Sequence, residues 1–164
     1  MNANINTNKP QEDVIDIQIS GIGKKRIRVN SDDNKILLIN TNDNNIVVRY
    51  GEELPNLESL SEDFKSMGQI LESGEVNSEK IKEYSKKARE IDGKMRHSLD
   101  KIFNANVSEV CDDGGSMYDP LDNGEMRWNW ILAVLMNLCS ETIQKNTDKF
   151  VAKSKQYTDK YTKK

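Results

Sequence analysis

Apolar and polar residues alternate with two different periods along this chain, and the change of period divides it. In VIDIQIS, Ile15, Ile17 and Ile19 alternate with Asp16 and Gln18. In KKRIRVN, Ile27 and Val29 alternate with Arg26 and Arg28. A period of two sends successive side chains to opposite faces of a strand. Gly21 and Gly23 lie between the segments, where the chain can turn, so the two read as a hairpin. Asp32, Asp33 and Asn34 supply another turn. KILLIN and NIVVRY follow as two more β-rich runs on either side of TNDNN. The expectation is an antiparallel β-meander of about four strands within a β-rich segment, residues 13–53. Residues 1–12 are polar and aperiodic, and they read as a disordered N-terminus.

From Pro55 the period becomes helical. Leu57, Leu60, Phe64, Met67 and Leu71 fall at steps of three and four, a single stripe. Gly74 ends it. Asn77 or Ser78 can cap a second helix, with Glu79 in its first turn. Its stripe is Ile81, Tyr84, Ala88, Ile91, Met95, Leu99 and Ile102. Gly93 inside it costs about 1 kcal/mol relative to alanine, which suggests a kink or a close helix contact there. The short connection predicts an antiparallel helix pair. A loop follows from Asn104 to Gly124, with VSEV as a brief helical turn inside it. The last helix is expected to start near Asn123 and Glu125. Trp128, Ile131, Leu132, Leu135, Leu138, Cys139 and Ile143 form its broad apolar face, and Trp130, Val134 and Met136 widen it. A helix apolar this far round is either the buried centre of a fold or covered by another chain. Trp128 and Trp130 stand two apart, so they point in different directions. The fold class predicted is α+β: the meander, then three main helices in a helical body at 54–144, then a basic extension at 145–164.

Composition narrows the function. Of the 164 residues 35% are hydrophobic and 31% charged, which permits only a modest core and wide wet helix faces. Net charge is −3, but residues 54–123 hold 15 acidic against 9 basic side chains, and residues 124–164 hold 4 against 8. Either pole could steer a partner. The N-terminus MNANINTNKPQEDV has no apolar core of a signal peptide. The longest apolar run, Trp130 to Met136, is too short to span a bilayer. The reading is a cytoplasmic protein whose Cys111 and Cys139 are free thiols.

Candidate chemistry is sparse. Asp112, Asp113, Asp119, Asp122 and Glu125 could hold a hard cation, but their spacing is not that of an EF-hand, and a solvated turn is the preferred reading. His97 has no partner histidine and sits on a wet helix face. Neither cysteine belongs to a C-x-x-C or has a histidine nearby in the sequence. There is no Walker loop, no G-x-G-x-x-G after a strand and no G-x-S-x-G. No enzyme activity, metal or cofactor is expected. The lysines after Ile143, with Tyr157 and Tyr161 between them, could contact nucleic acid, but arginine is nearly absent there and a solvated amphipathic extension is preferred.

One resemblance adds a partner. RHSLDKIFNANVSEVCDDGG, a short loop and then MRWNWILAVLMNL resemble the C-terminal half of tail assembly chaperones from phages of Gram-positive bacteria. The matching positions are Asp100, Ile102, Phe103, Gly114, Trp128, Trp130, Ile131 and Leu135, within a likeness spanning about residues 50–155. In place of the family's usual glycine after the Ile-Phe pair stands Asn104-Ala105-Asn106. The resemblance implies a non-enzymatic protein in the host cytoplasm. It would bind the tape-measure protein, keep it soluble and yield it to tail tube subunits, and a homo-oligomer is compatible with this. Trp128, Trp130, Ile131, Leu135 and Phe103 are then the expected partner-binding residues. The alternatives are a structural phage tail or connector subunit, or a small regulatory protein binding nucleic acid through its basic end.

Overall fold

The computed structural model describes residues 24–72 and 74–162. Its elements are β1 (Lys24–Arg28), β2 (Ile36–Asn40), α1 (Asn45–Glu72), α2 (Ser78–Phe103), α3 (Val107–Val110) and α4 (Arg127–Thr162). The described chain is α+β with a helical majority and one two-stranded antiparallel sheet.

β1 and β2, the second and third runs of the expected meander, pair antiparallel, with Ile27 opposite Leu37 and Lys25 opposite Ile39. Leu37 and Ile39 are fully buried while Leu38 between them is exposed, so one face of the hairpin meets the core. The Val29 amide donates to the Lys35 carbonyl at 3.0 Å, and Asn30 and Ser31 turn the chain with φ of 53° and 58°. The expected strand VIDIQIS lies outside the described residues.

The fourth expected strand is corrected. NIVVRY is not a strand but the first turns of α1. Local bonding overrides the β-preference of Ile46, Val47 and Val48. Asp43 accepts the Asn45 amide on its side chain (2.9 Å) and the Ile46 amide on its carbonyl (3.1 Å), which satisfies donors at the helix start. Arg49 donates to Asp43 at 2.7 Å and to the Ile102 carbonyl at 2.8 Å, fixing that first turn to the end of α2. One stripe then runs through Ile46, Tyr50, Glu53, Leu57, Leu60, Phe64 and Met67. Pro55 was expected to open this helix and instead sits inside it, at an exposed position where the backbone bond it forgoes faces water.

α2 begins at the expected cap: the Asn77 side chain accepts the Lys80 amide at 3.0 Å. It ends at Asn104 in the left-handed conformation, φ 47°. The two long helices are antiparallel, since Glu53 bonds Lys101 at one end while Met67 and Lys87 border one crevice at the other. Ala88, Ile91, Met95, Leu99 and Ile102 are buried, but Ile81, at the start of the predicted stripe, is exposed. Gly93 has open space where a Cβ would stand, so no close helix contact explains it.

The loop after α2 is built on two arginines. Arg96 donates to Asp92 (2.6 Å) and to the carbonyls of Gly115 (2.8 Å) and Ser108 (3.3 Å), and its Nη1 lies 3.4 Å from Asp112. Asp92 also accepts the Met117 amide at 2.6 Å, which sets the fully buried Met117 into the core. Tyr118 stacks on Phe64 with ring centroids 4.1 Å apart. The last helix starts at Arg127, later than expected, because residues 120–126 close a turn of their own. Leu121 donates to the Glu125 carbonyl at 2.8 Å, and Gly124 has φ +81°. The free amides at the start of α4 are taken by the loop: Arg127 N–H donates to the Asp119 carbonyl (3.0 Å) and Trp128 N–H to that of Met117 (2.8 Å). α4 then continues as helix through the basic end to Thr162, a length of roughly 54 Å at about 1.5 Å per residue. No helix of the described residues is long and apolar enough to cross a membrane.

Candidate partner-binding groove

The N-terminal third of α4 keeps part of its apolar surface exposed among the described residues. Trp128, Leu132, Leu135 and Cys139 are buried, and Ile131, Met136 and Leu138 are half-buried. Trp130 and Val134 are each 45% exposed, which is high for large apolar residues on the inner half of a helix.

These residues form one wall of a groove whose other wall is β1. At one end Ile27, Val29, Trp130, Ile131, Val134 and Leu135 face each other over a volume of about 320 Å³, with Leu37 and Cys111 also lining it. At the other end Lys25, Arg26 and Ile27 face Val134, Leu138 and Glu141. Ile27, Val134 and Leu135 belong to both ends, so the groove is continuous along the strand. A volume at the low end of ligand pockets, open along its length, suits a row of apolar side chains better than an enclosed small molecule.

The rim is basic. Lys24, Lys25, Arg26 and Arg28 are all exposed on β1. Arg28 reaches Asp33 at 2.7 Å and Lys25 reaches the Thr142 hydroxyl at 3.2 Å. At the far end Arg127 pairs with Asp113, and its Nε is buried without a hydrogen-bond partner. The Arg127 bond, with the Gly115 amide, holds the Asp113 carboxyl below its ordinary value. A Cβ at Gly115 would lie 2.7 Å from Arg127 Nη2 and 2.8 Å from Asp119 Oδ2, so a side chain there requires both of those side-chain ends to shift. Burial pushes the Cys111 thiol up, so it stays protonated near neutral pH and is a poor nucleophile.

The structure brings Trp130, Ile131 and Leu135 of the expected partner-binding residues together in this groove. Phe103 and Trp128 lie elsewhere. Phe103 is 2% exposed at the end of α2, and Trp128 turns towards Pro55, Glu58 and Glu62 of α1. The two tryptophans therefore do point apart, one inward and one to the groove. Ile27, Val29, Val134 and Leu138 complete the walls and were not singled out as site residues in the sequence, because nothing local marks a strand as the neighbour of a helix a hundred residues later. Three of the five loop carboxylates have partners: Asp112 and Asp113 meet Arg96 and Arg127, and Asp119 accepts the Ser116 amide at 2.8 Å, while Asp122 and Glu125 are exposed. Among the described residues no group of three or more His, Cys, Asp and Glu is placed to hold a metal ion. His97 is exposed on α2.

Fold and groove together define a small α+β protein with an open, basic-rimmed apolar channel. Compared with protein-family models, with curated proteins and with solved structures, the chain matches none.

Proposed function

We propose that this protein is a non-enzymatic assembly chaperone that shields an apolar helical segment of another protein, of the kind that phage tail assembly chaperones provide for a tape-measure protein. The observation that carries the reading is Trp130 and Val134, nearly half exposed above a groove floored by Leu135 and Ile131. A partner helix laying apolar residues into that groove removes this surface from water, at about 25 cal/mol for each Å² covered. The partner's name comes from the sequence resemblance alone.

Co-expression with a tape-measure protein tests it. The wild-type chain keeps that protein in the soluble fraction, and Trp130→Asp or Val134→Asp lets it precipitate. The proposal fails if the two substitutions leave solubilisation intact, or if the protein is found as a stoichiometric part of purified virions, which is the outcome for a structural tail subunit. A second reading has one observation behind it. The basic end continues as helix, with Lys145, Lys149 and Lys155 exposed. Salt-dependent DNA binding that disappears on deleting residues 145–164 would support it.

A further inference from the structure

The two rims of the groove differ in charge. On α4 the exposed residues above the floor are Trp130, Val134, Asn137 and Glu141, with one carboxylate and no cation. On β1 they are Lys24, Lys25, Arg26 and Arg28. Arg26 borders one end of the groove and Arg28 the other. Among the described residues only Arg28 of these four meets a carboxylate, that of Asp33, and both side chains of that pair are largely exposed. An exposed pair of this kind contributes little and can be given up for another. Lys25 reaches only the Thr142 hydroxyl. Asp113, at the Arg28 end, is already bound to Arg127.

Spacing selects what can answer this charge. Arg26 and Arg28 are alternate residues of one strand, so they share a face and stand roughly 6.6 Å apart along it at about 3.3 Å per residue. Residues four apart on a helix also share a side, and they rise roughly 6 Å at about 1.5 Å per residue. We propose that the segment the groove takes is an amphipathic helix carrying two carboxylates four positions apart on the flank beside β1, one for Arg26 and one for Arg28. The planar guanidinium grips a carboxylate through two parallel hydrogen bonds, which makes each pair directional as well as attractive.

The opposite flank of that helix faces Asn137 and Glu141, where a further carboxylate meets no cation. Charge on one flank only sets the direction of the partner. With its apolar stripe down in the groove and its acidic flank against β1, a helix can run in one of the two N-to-C directions and not the other. The inference rests on the chaperone reading for what the groove is for. It adds the two residues, Arg26 and Arg28, that choose among apolar helices which one is held.

Fluorescence anisotropy of two labelled synthetic peptides with the full chain tests it. Both are alanine-based helices of about 18 residues, long enough to span the groove, with leucines at steps of three and four. One carries two glutamates four apart beside the leucine stripe. The other carries them on the face opposite the stripe, so net charge is the same. The first is expected to bind roughly fivefold or more tighter at about 0.05 M salt, with the gap narrowing by about 0.5 M. Arg26→Gln combined with Arg28→Gln, both at exposed positions and checked for fold by circular dichroism, brings the two peptides to equal affinity. Trp130→Asp weakens both. Equal binding of the two peptides to the wild-type chain, each still sensitive to Trp130→Asp, overturns the charge inference and leaves the chaperone reading standing. A preference that survives the double substitution overturns it too, since the glutamates are then read elsewhere. So does a dimer in light scattering that the first peptide fails to dissociate, because a second copy then holds the groove. Binding of neither peptide overturns the inference and the groove's chaperone role together. The expected preference, combined with failure to keep a tape-measure protein soluble, supports the inference and refutes the chaperone reading.

Discussion

Glu53 interrupts the apolar stripe of α1 and is nonetheless buried, 8% exposed, between α1 and α2. Its carboxylate accepts from Lys101 Nζ at 2.5 Å, from Ser98 Oγ at 2.8 Å and from Asn56 Nδ2 at 3.4 Å. Ser98 is fully buried, so removing the carboxylate strands its hydroxyl proton. Glu53→Ala therefore loses one charge-assisted bond, leaves a buried donor unmet and opens a small cavity, and should destabilise the fold by about 3 kcal/mol. Glu53→Gln keeps the shape and one accepting oxygen for Lys101, but its amide meets the donors Ser98 Oγ and Asn56 Nδ2, so about 1–2 kcal/mol is expected. For a chain of this length, about 3 kcal/mol lowers Tm by about 6–12 °C.

The pH dependence follows from the same contacts. The Lys101 bond first, then those from Ser98 and Asn56, outweigh burial and hold the Glu53 carboxyl below its ordinary value. A lowered folded-state pKa means stability that is present above the unfolded pKa, near 4.5, and is lost as pH falls through the folded value. The gap between wild type and Glu53→Gln should therefore be widest at pH 7 and close on acidification below pH 4.5. Urea melts followed by circular dichroism from pH 7 down to about pH 3 measure it. A gap that stays constant across that range would refute the argument, because it would mean that the negative charge of Glu53 contributes nothing to holding α1 against α2.

Three further outcomes are expected. Gly115→Ala should cost about 1–3 kcal/mol by displacing Arg127 from Asp113; in an Arg127→Ala background much of that cost should vanish, and strictly additive urea-melt values would sink the idea that Arg127 is what excludes a side chain there. Trp128→Ala should destabilise by about 3–5 kcal/mol, whereas Trp130→Ser should change stability by less than about 1 kcal/mol; a calorimetric scan giving the reverse order would contradict the assignment of the inward and outward tryptophans. A thiol reagent at pH 7 should modify Cys111 slowly and Cys139, which is 1% exposed, only after denaturant is added. The Cys111 rate should climb as pH passes its ordinary value of 9.0, because burial raises that thiol further, and mass spectrometry of the labelled peptides reads both.

What the sequence revealed depended on whether a signal was local. The second helix could be read from its stripe and from Asn77, because cap and stripe are features of a few adjacent residues. The divergence of Trp128 and Trp130 followed from helix geometry alone. α1 was readable only in part. The steps Ile46, Tyr50, Glu53, Leu57 carry the helical period back through NIVVRY, but Glu53 occupies an apolar position and three adjacent β-branched residues imitate a strand. Asp43, inside what looked like a plain turn, was the deciding residue. The contacts of the acidic loop were not legible, for the opposite reason. Its carboxylates cluster in sequence as a cation site would, yet their counter-charges are Arg96, which also donates to the Gly115 carbonyl from 19 positions upstream, and Arg127, 14 positions after Asp113.

The groove shows why helix composition and helix exposure must be considered together. α4 draws on its apolar residues twice. Trp128, Leu132, Leu135 and Cys139 face the pair α1 and α2, the hairpin and the loop, and they meet the ordinary need of a small domain to bury something. Trp130, Val134, Ile131 and Leu138 are what remains after that need is met, and they are spaced three, four and one apart so as to share one side of the helix. A chain under pressure only to fold gains nothing from a second apolar side, because each exposed large apolar residue raises the tendency to associate. The hairpin stands beside that side and covers it incompletely, with four cations on the nearer strand and no carboxylate. A surface that is apolar at its floor and mostly positive at its rim is matched by a helix with an apolar stripe and an acidic flank, which is the occupant the proposed chaperone role requires.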